Sequence, residues 1–162
     1  MISKKILVVS DTHGDPSRLI DVIEKEKPFD IMIHCGDAEC SEGRLMMLSD
    51  TTVYGVQGNN DYFYDYPQRR EFEINGVKFY LTHGHMDGVH FGIDKIGYAA
   101  KARGASVCLY GHTHIPHNET VDGVTFLNPG SLTYPRQIGR KPSYAILTVS
   151  DSGKISIEIR YL

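Results

Sequence analysis

Five apolar runs in this chain break off into the same kind of residue. KILVVS at 5–10 leads into SDTHG, FDIMIHC at 29–35 into HCGDAE, TTVYGVQ at 51–57 into QGNND, REFEINGVKFYLTH at 70–83 into LTHGH, and ASVCLY at 105–110 into YGHTH. Runs of this length and make-up read as strands, some of them buried on both faces. Aspartate, asparagine or histidine stands at the end of each, and in open α/β sheets the strand ends form the edge where ligands bind.

The segments between the runs decide how the strands are joined. Asp15-Pro16 offers an N-cap and a first helical position, and Leu19, Ile20, Val22 and Ile23 give the following helix an apolar side before Pro28. The first strand, this helix and FDIMIHC make a β-α-β unit. SEGRLMMLS at 41–49 predicts a second helix and TTVYGVQ a third strand, so the first third reads as a parallel, right-handed α/β layer. Asn75-Gly76 and Asp122-Gly123 then turn antiparallel hairpins, and residues 92–103 form a helix stopped by Gly104. SYAILTV and KISIEIRYL make a last hairpin around Asp151–Gly153. A parallel half joined to hairpins predicts two mixed sheets packed together with helices outside. With no linker and no repeat, residues 1–162 are expected to form one domain, Met1 leading straight into the first strand.

Composition excludes several classes. Hydrophobic residues at 41% and charged residues at 23% are ordinary globular usage, which argues against disorder. A net charge of −3 argues against a broad basic surface for a stable nucleic-acid partner. Asp11 ends the first apolar run well short of a signal peptide or a membrane span. Cys35, Cys40 and Cys108 lack Cys-x-x-Cys spacing, so they suit neither a disulfide framework nor a thiolate zinc site and fit a reducing cytoplasm.

Each polar strand end, taken singly, has an ordinary reading. Asp11 and His13 suit a turn, as do Gly36-Asp37 and GNND at 58–61, and His83, His112 and His114 suit satisfied imidazoles at the edge of a core. Jointly these readings need the same accident five times, whereas one shared metal site accounts for all. Carboxylate, amide and imidazole donors suit manganese, iron, zinc or nickel. Asp11, His13, Asp37, Asn59, His83, His112 and His114 are too many for one ion, and with Asp37 bridging they divide into four contacts to each of two.

The order DTH, GD, GNND, H and GHTH between residues 11 and 114 resembles the calcineurin-like metallophosphoesterase superfamily. NPGS at 128–131 and the TYPR after it extend the likeness to its small bacterial and archaeal phosphodiesterases of the YfcE type. The resemblance implies an α/β fold, a four-layer α-β-β-α sandwich of two mixed sheets. It also implies that Asp11, His13, Asp37 and His114 hold one divalent metal and that Asp37, Asn59, His83 and His112 hold the other. Manganese is the expected ion, with nickel, iron, zinc or magnesium as alternatives. Such a pair, about 3.5–4 Å apart, can deprotonate a bridging water and direct the hydroxide in line at phosphorus. The expected reaction is hydrolysis of a small phosphate ester with no covalent enzyme intermediate.

Asp37, Asn60, Asp61 and His85 are the catalytic candidates, and Asn60, His85 and Arg136 the candidates for holding substrate. The superfamily places a histidine after the asparagine ligand, to protonate the leaving group or hold substrate; this chain has Asn60 there, followed by Asp61 where the family uses an acid to orient that histidine. An amide cannot deliver a proton as imidazolium can, and a positioned general acid is worth about 10²–10⁴-fold. Diesters with acidic leaving groups, such as aryl esters, are therefore the expected substrates. His34, His90 and His117 read as structural or surface residues. No membrane partner is expected, and exposed hairpin edges leave a homodimer open. The rival readings are a phosphomonoesterase, a dinuclear hydrolase acting on amides, and a non-catalytic interaction scaffold of the same fold, as in the retromer subunit that resembles this family but has lost ligands.

Overall fold

In the computed structural model, which describes residues 2–162, the alternation of the first apolar run sets the layering. Strand β1 (Lys4–Val9) turns Ile6 and Val8 to one face and Leu7 and Val9 to the other, and all four are fully buried. Leu7 and Val9 join Leu19, Val22 and Ile23 of helix α1 (Ser17–Glu26) and Leu45 of α2 (Glu42–Ser49) in one cluster. Ile6 and Val8 pack instead with Phe79 and Leu81 of β5 (Val77–Thr82) and with Val107 and Leu109 of β6 (Val107–Leu109). Helix α3 (Asp94–Ala102) covers the far side of that second sheet, setting Ile96 and Ala100 against Tyr80, Cys108 and Phe126. The order helix, sheet, sheet, helix is the four-layer sandwich expected.

The first sheet adds β2 (Ile31–His34), β3 (Thr52–Gly55), β9 (Ser143–Val149) and β10 (Ile155–Tyr161), in the order β10-β9-β1-β2-β3. The second adds β4 (Arg69–Ile74), β7 (His117–Val121) and β8 (Val124–Asn128), in the order β4-β5-β6-β8-β7. In the first sheet the parallel strands β1-β2-β3 run to one edge and the antiparallel β9 and β10 lie beyond β1, whereas in the second the parallel β5-β6-β8 form the centre between antiparallel β4 and β7. Asn75 and Gly76 both take positive φ, 49° and 81°, as a type I′ hairpin requires. Met1 lies outside the described residues. Among those described, no helix is long and apolar enough to cross a membrane, and all three cysteines are free, Cys35 and Cys108 fully buried as small hydrophobes.

Two details of α1 differ from expectation. Ile20 is 40% exposed, because the helical period puts Leu19, Val22, Ile23 and Glu26 on the buried face and carries residue 20 past its edge. The helix also starts one residue later: Asp15 Oδ1 accepts the Ser17 N–H at 3.0 Å, with Pro16 between them.

Glu26 is an acid on that buried face. Its carboxylate accepts from the Tyr144 hydroxyl and, at 2.6 Å, from Arg160 Nη1, with Lys5 Nζ 3.5 Å away. Burial alone would raise its pKa, but Tyr144 and Arg160 outweigh that and hold it below the usual range. A depressed folded-state pKa contributes stability above the unfolded value, lost as pH falls through the folded one. Glu26→Gln should therefore lower stability at pH 7 by about 1.5–3 kcal/mol. The gap to wild type should shrink as the pH drops below the ordinary carboxylate value of 4.5, as read by urea unfolding across pH. A gap constant with pH would count against this account.

Candidate metal centre

Parallel pairing brings the carboxyl ends of β1, β2 and β3 to one edge, and the ends of β5 and β6 meet them across the sandwich. Backbone bonds continue the alignment past the strands: Asp11 N–H donates to Gly36 O at 3.0 Å and His13 N–H to Asp37 O at 2.9 Å. Gly111 N–H donates to His83 O at 3.1 Å, and His112 N–H crosses between the sheets to Asp11 Oδ2 at 3.1 Å. NPGS supports this edge from below. Ser131 Oγ–H donates to Asp11 O, and Asn128 Nδ2 donates to Gly111 O and Thr113 Oγ1, so the motif binds the first ligand turn and the last into one frame.

That frame holds the backbone where side chains rarely go. Asp11, His13, Asp37, His112 and His114 have φ of 54°, 49°, 56°, 72° and 61°, all in the left-handed region. Such residues cost of order 1–3 kcal/mol each and persist where their surroundings over-determine them, commonly at functional sites. Two glycines allow the close approach. A Cβ on Gly58 would overlap the Asp37 carboxylate and backbone, and one on Gly36, at φ 106°, would enter the His83 ring.

The side chains form two groups whose donor atoms lie within 4.8 Å of one another: Asp11, His13 and His114, and Asp37, His83 and His112. The groups adjoin. Asp37 Oδ2 is 3.4 Å from His83 Nε2 and 3.8 Å from His13 Nε2, so it stands between them, and Asp11 Oδ1 lies 3.7 Å from both histidines.

Three imidazoles are turned for metal binding by what holds their far nitrogens. His83 Nδ1 donates to Cys35 O at 2.7 Å and His114 Nδ1 to Tyr134 O at 2.7 Å; a carbonyl only accepts, so each proton sits on Nδ1 and each Nε2 presents a lone pair to the centre. His13 Nδ1 is paired with Glu39 Oε2 at 2.8 Å, which makes the same arrangement. Metal-binding histidines are commonly oriented through the second nitrogen in this way. Asp11 Oδ1 and His83 Nε2, both buried, have no hydrogen-bond partner among the described residues. Buried polar atoms are rarely left so, and these two point into the space between the groups.

The charge balance agrees. Burial alone would raise the pKa of both carboxyls, but His114 and His83 beside Asp11, and His83 and Asn60 beside Asp37, outweigh burial and hold both below the usual range. Burial likewise opposes a proton on His83, yet Asp37 and Asp11 raise its pKa. Two buried carboxylates thus favour positive charge in the space between them. His112, by contrast, is pushed down to about 4 by burial and by the neighbouring His83 and His90. Carboxylate oxygens with neutral imidazoles are a donor set that fits divalent cations.

The GNND loop departs from expectation. Asn59 and Asn60 are both exposed, and Asn60 is the asparagine that meets Asp37: its N–H donates to Oδ1 at 2.9 Å and its Nδ2 to Oδ2 at 3.1 Å. Asp61 is fully buried beneath the loop and accepts the N–H groups of Asp37, Gly58 and Glu39. Its carboxylate thus faces backbone donors of both loops. His85 stands in a 3₁₀ turn (His85–Asp87) with its ring 5.4 Å from His83 and 6.1 Å from His112. Arg136 lies on the rim beside the other group, its N–H donating to His114 O at 3.0 Å.

His34 is structural, as expected: it accepts the Gly36 N–H on Nδ1 and so donates from Nε2 to Thr12 Oγ1 at 3.0 Å. His117 pairs with Tyr110 and Glu119 on β7. His90 is exposed but stands 4.6 Å, ring to ring, from His112, closer to the centre than its place after a glycine suggested. Glu39 went unnoticed in the sequence; its one signal is that it lies two residues beyond Asp37.

Residues 5–152 match the profile of the calcineurin-like phosphoesterase superfamily domain. A probable metallophosphoesterase of Bacillus subtilis, YsnB, is 37% identical over 147 residues, 90% of this chain and 85% of its own length. A Streptococcus pneumoniae structure described as a predicted phosphoesterase superposes with a TM-score of 0.86 at 32% identity, covering 99% of this chain and 91% of its own. The zinc complex of Vps29 from Entamoeba histolytica has a TM-score of 0.76 at 20% identity, covering 97% and 98%, a likeness of fold alone.

Proposed function

This chain belongs to the calcineurin-like phosphoesterase superfamily, and on that premise we propose that it hydrolyses phosphodiesters, those with acidic leaving groups first, at a pair of divalent cations. The observation that carries this reading is the set of three imidazoles with pinned far nitrogens whose near nitrogens converge on Asp11 and Asp37, that of His83 having no partner among the described residues. Asp11, His13 and His114 would hold one ion and His83 and His112 the other, with Asp37 shared and Asn59 completing the second on reorientation of its loop. Two such ions supply a nucleophile from water at neutral pH and stabilise charge on the attacking and leaving oxygens.

The rest falls to the side chains. Glu39, Cys35 O and Tyr134 O keep the imidazoles aimed, and Asn60 keeps Asp37 in plane through both its oxygens. Asn60 also leaves the leaving group without an imidazolium at this position, which is what favours acidic leaving groups. The likeness of NPGS and TYPR to the small phosphodiesterases supports diesters over monoesters.

Metal-stripped protein reloaded with manganese should retain two ions per chain and hydrolyse bis(4-nitrophenyl) phosphate, with monoesters slower. Failure to retain any stoichiometric ion would sink the reading and leave a non-catalytic scaffold of the same fold in its place. Asn60→His, with metal content unchanged, should raise alkyl-ester turnover relative to aryl by up to about 10²-fold, the low end for a positioned general acid. An unchanged ratio would mean that residue 60 does not set leaving-group preference.

A further inference from the structure

Beside the group formed by Asp11, His13 and His114 opens a pocket of about 800 Å³ whose floor includes His13 and His114 and whose walls carry Arg18, Arg136 and Arg140. Three guanidinium groups line it and no carboxylate does. The volume falls in the range that holds a whole small ligand, well beyond one phosphoryl group. The acids beside its histidines belong to the centre or are engaged elsewhere: Asp11 and Asp37 lie within the two candidate groups, and Glu39 is paired with His13 Nδ1.

The walls are fastened to the centre. Arg136 N–H donates to His114 O while Tyr134 O accepts from His114 Nδ1, so the segment carrying Arg136 is joined at two points to one candidate ligand. Arg18 reaches from α1 to donate to Leu132 O at 2.9 Å, which fixes one arm of its fork and leaves the others for the pocket. Arg140 is set by a turn in which its N–H donates to Gln137 O at 2.9 Å and Gln137 Nε2 donates to Lys141 O at 2.7 Å. Arginine forks match the oxygens of a phosphate, and a cluster of them without a countercharge is a site for a multiply charged anion.

We propose that this pocket receives a second phosphate of the same substrate molecule, so that the esters this chain prefers carry one phosphate at the metal centre and another among Arg18, Arg136 and Arg140. The proposal rests on the phosphoesterase reading of the adjoining centre. It names a substrate class, bis-phosphorylated small molecules such as nucleosides bearing two phosphates, and accounts for three arginines lining one pocket beside the centre in a chain of net charge −3.

Two matched esters test it: thymidine 5′-(4-nitrophenyl phosphate) and the same ester bearing a 3′-phosphate, given to manganese-loaded protein. The 3′-phosphate should raise kcat/KM by about 10- to 100-fold, the worth of one or two charge-assisted hydrogen bonds to an exposed anion. The double variant Arg136→Ala/Arg140→Ala should bring the ratio of the two rates to near unity. Turnover of both esters at equal rates by the wild type, or a ratio untouched in the variant, would overturn the proposal and leave the phosphoesterase reading standing. If neither ester is turned over, that reading fails instead, and calorimetry with the bare nucleotides still decides the pocket. Tighter binding of thymidine 3′,5′-bisphosphate than of thymidine 5′-monophosphate, abolished in the variant, supports it, and equal affinities overturn it.

Discussion

Asp37→Ala should lower kcat/KM on an aryl phosphodiester by at least about 10³-fold and reduce the ions retained from two per chain to one at most, since the stabilisation lost amounts to several kcal/mol and each 1.36 kcal/mol is tenfold. Asp37 Oδ2 stands 3.4 Å from His83 Nε2 and 3.8 Å from His13 Nε2, the one side-chain oxygen of the GD turn between the two histidine groups. No neighbour can replace it, because Asn60 touches the same carboxylate but offers N–H donors there. The thermal consequence separates this from simple unfolding. Without metal, Asp37→Ala removes a carboxylate that His83 and Asn60 stabilise, so the metal-free variant should melt below metal-free wild type, and the thermal gain on adding metal is what reports the lost ions. With manganese at a thousand times its dissociation constant, wild type should gain about 4 kcal/mol for each ion bound, and the variant should lose at least one such increment. Scanning calorimetry with and without chelator, alongside metal analysis, reads both. A variant that kept two ions and the full thermal gain would remove Asp37 from the centre.

How much of this could be read from the sequence follows from what kind of group does each job. Asp11, His13, Asp37, His83, His112 and His114, which the structure brings into two adjoining groups, were legible as candidates because a side chain that could hold an ion must be of a particular type wherever the backbone puts it. The layers were legible for a similar reason: Ile6, Leu7, Val8 and Val9 need burial on two faces, which a strand between helices and a second sheet provides. What aims the ligands was not legible. Cys35 O and Tyr134 O are backbone carbonyls, present at every residue, and only the fold selects these two. The left-handed backbone at five candidate positions is likewise imposed from outside, by bonds such as Ser131 to Asp11 O that span most of the chain. GNND shows the limit from the other side. Two adjacent asparagines have the same chemistry, and the residue type alone cannot say that Asn60 rather than Asn59 faces Asp37 in this structure. Arg18 joins the arginine pocket through a bond to Leu132, a proximity no local pattern announces.

Asp61 tests the distinction between aiming and reacting. Its Oδ2 accepts from Asp37 N–H at 2.7 Å and Gly58 N–H at 2.8 Å, and its Oδ1 from Glu39 N–H at 2.8 Å, Asp61 itself being fully buried. Truncation to alanine would strand two buried donors and a partly buried one from two loops, which should cost about 3–5 kcal/mol, a large share of the total stability of a domain this size. Asp61→Asn keeps the shape and one acceptor oxygen but turns an amide N–H toward a backbone N–H, and should cost about 1–3 kcal/mol. The asparagine variant is the informative one. If Asp61 exchanged a proton with the leaving group, it would lose about 10²–10⁴-fold in kcat with its melting temperature and metal affinity near wild type. As a residue that positions Asp37, Gly58 and Glu39, it should instead melt lower and bind manganese more weakly, because Asp37 belongs to the shared position and Glu39 orients His13. At saturating manganese and low temperature kcat should then return to within about tenfold of wild type, since the loops can be drawn back by the ions they hold once binding free energy exceeds the loss. Low kcat that persists under saturation, with metal content normal, would assign Asp61 a direct part in the chemistry and return it to the reacting groups.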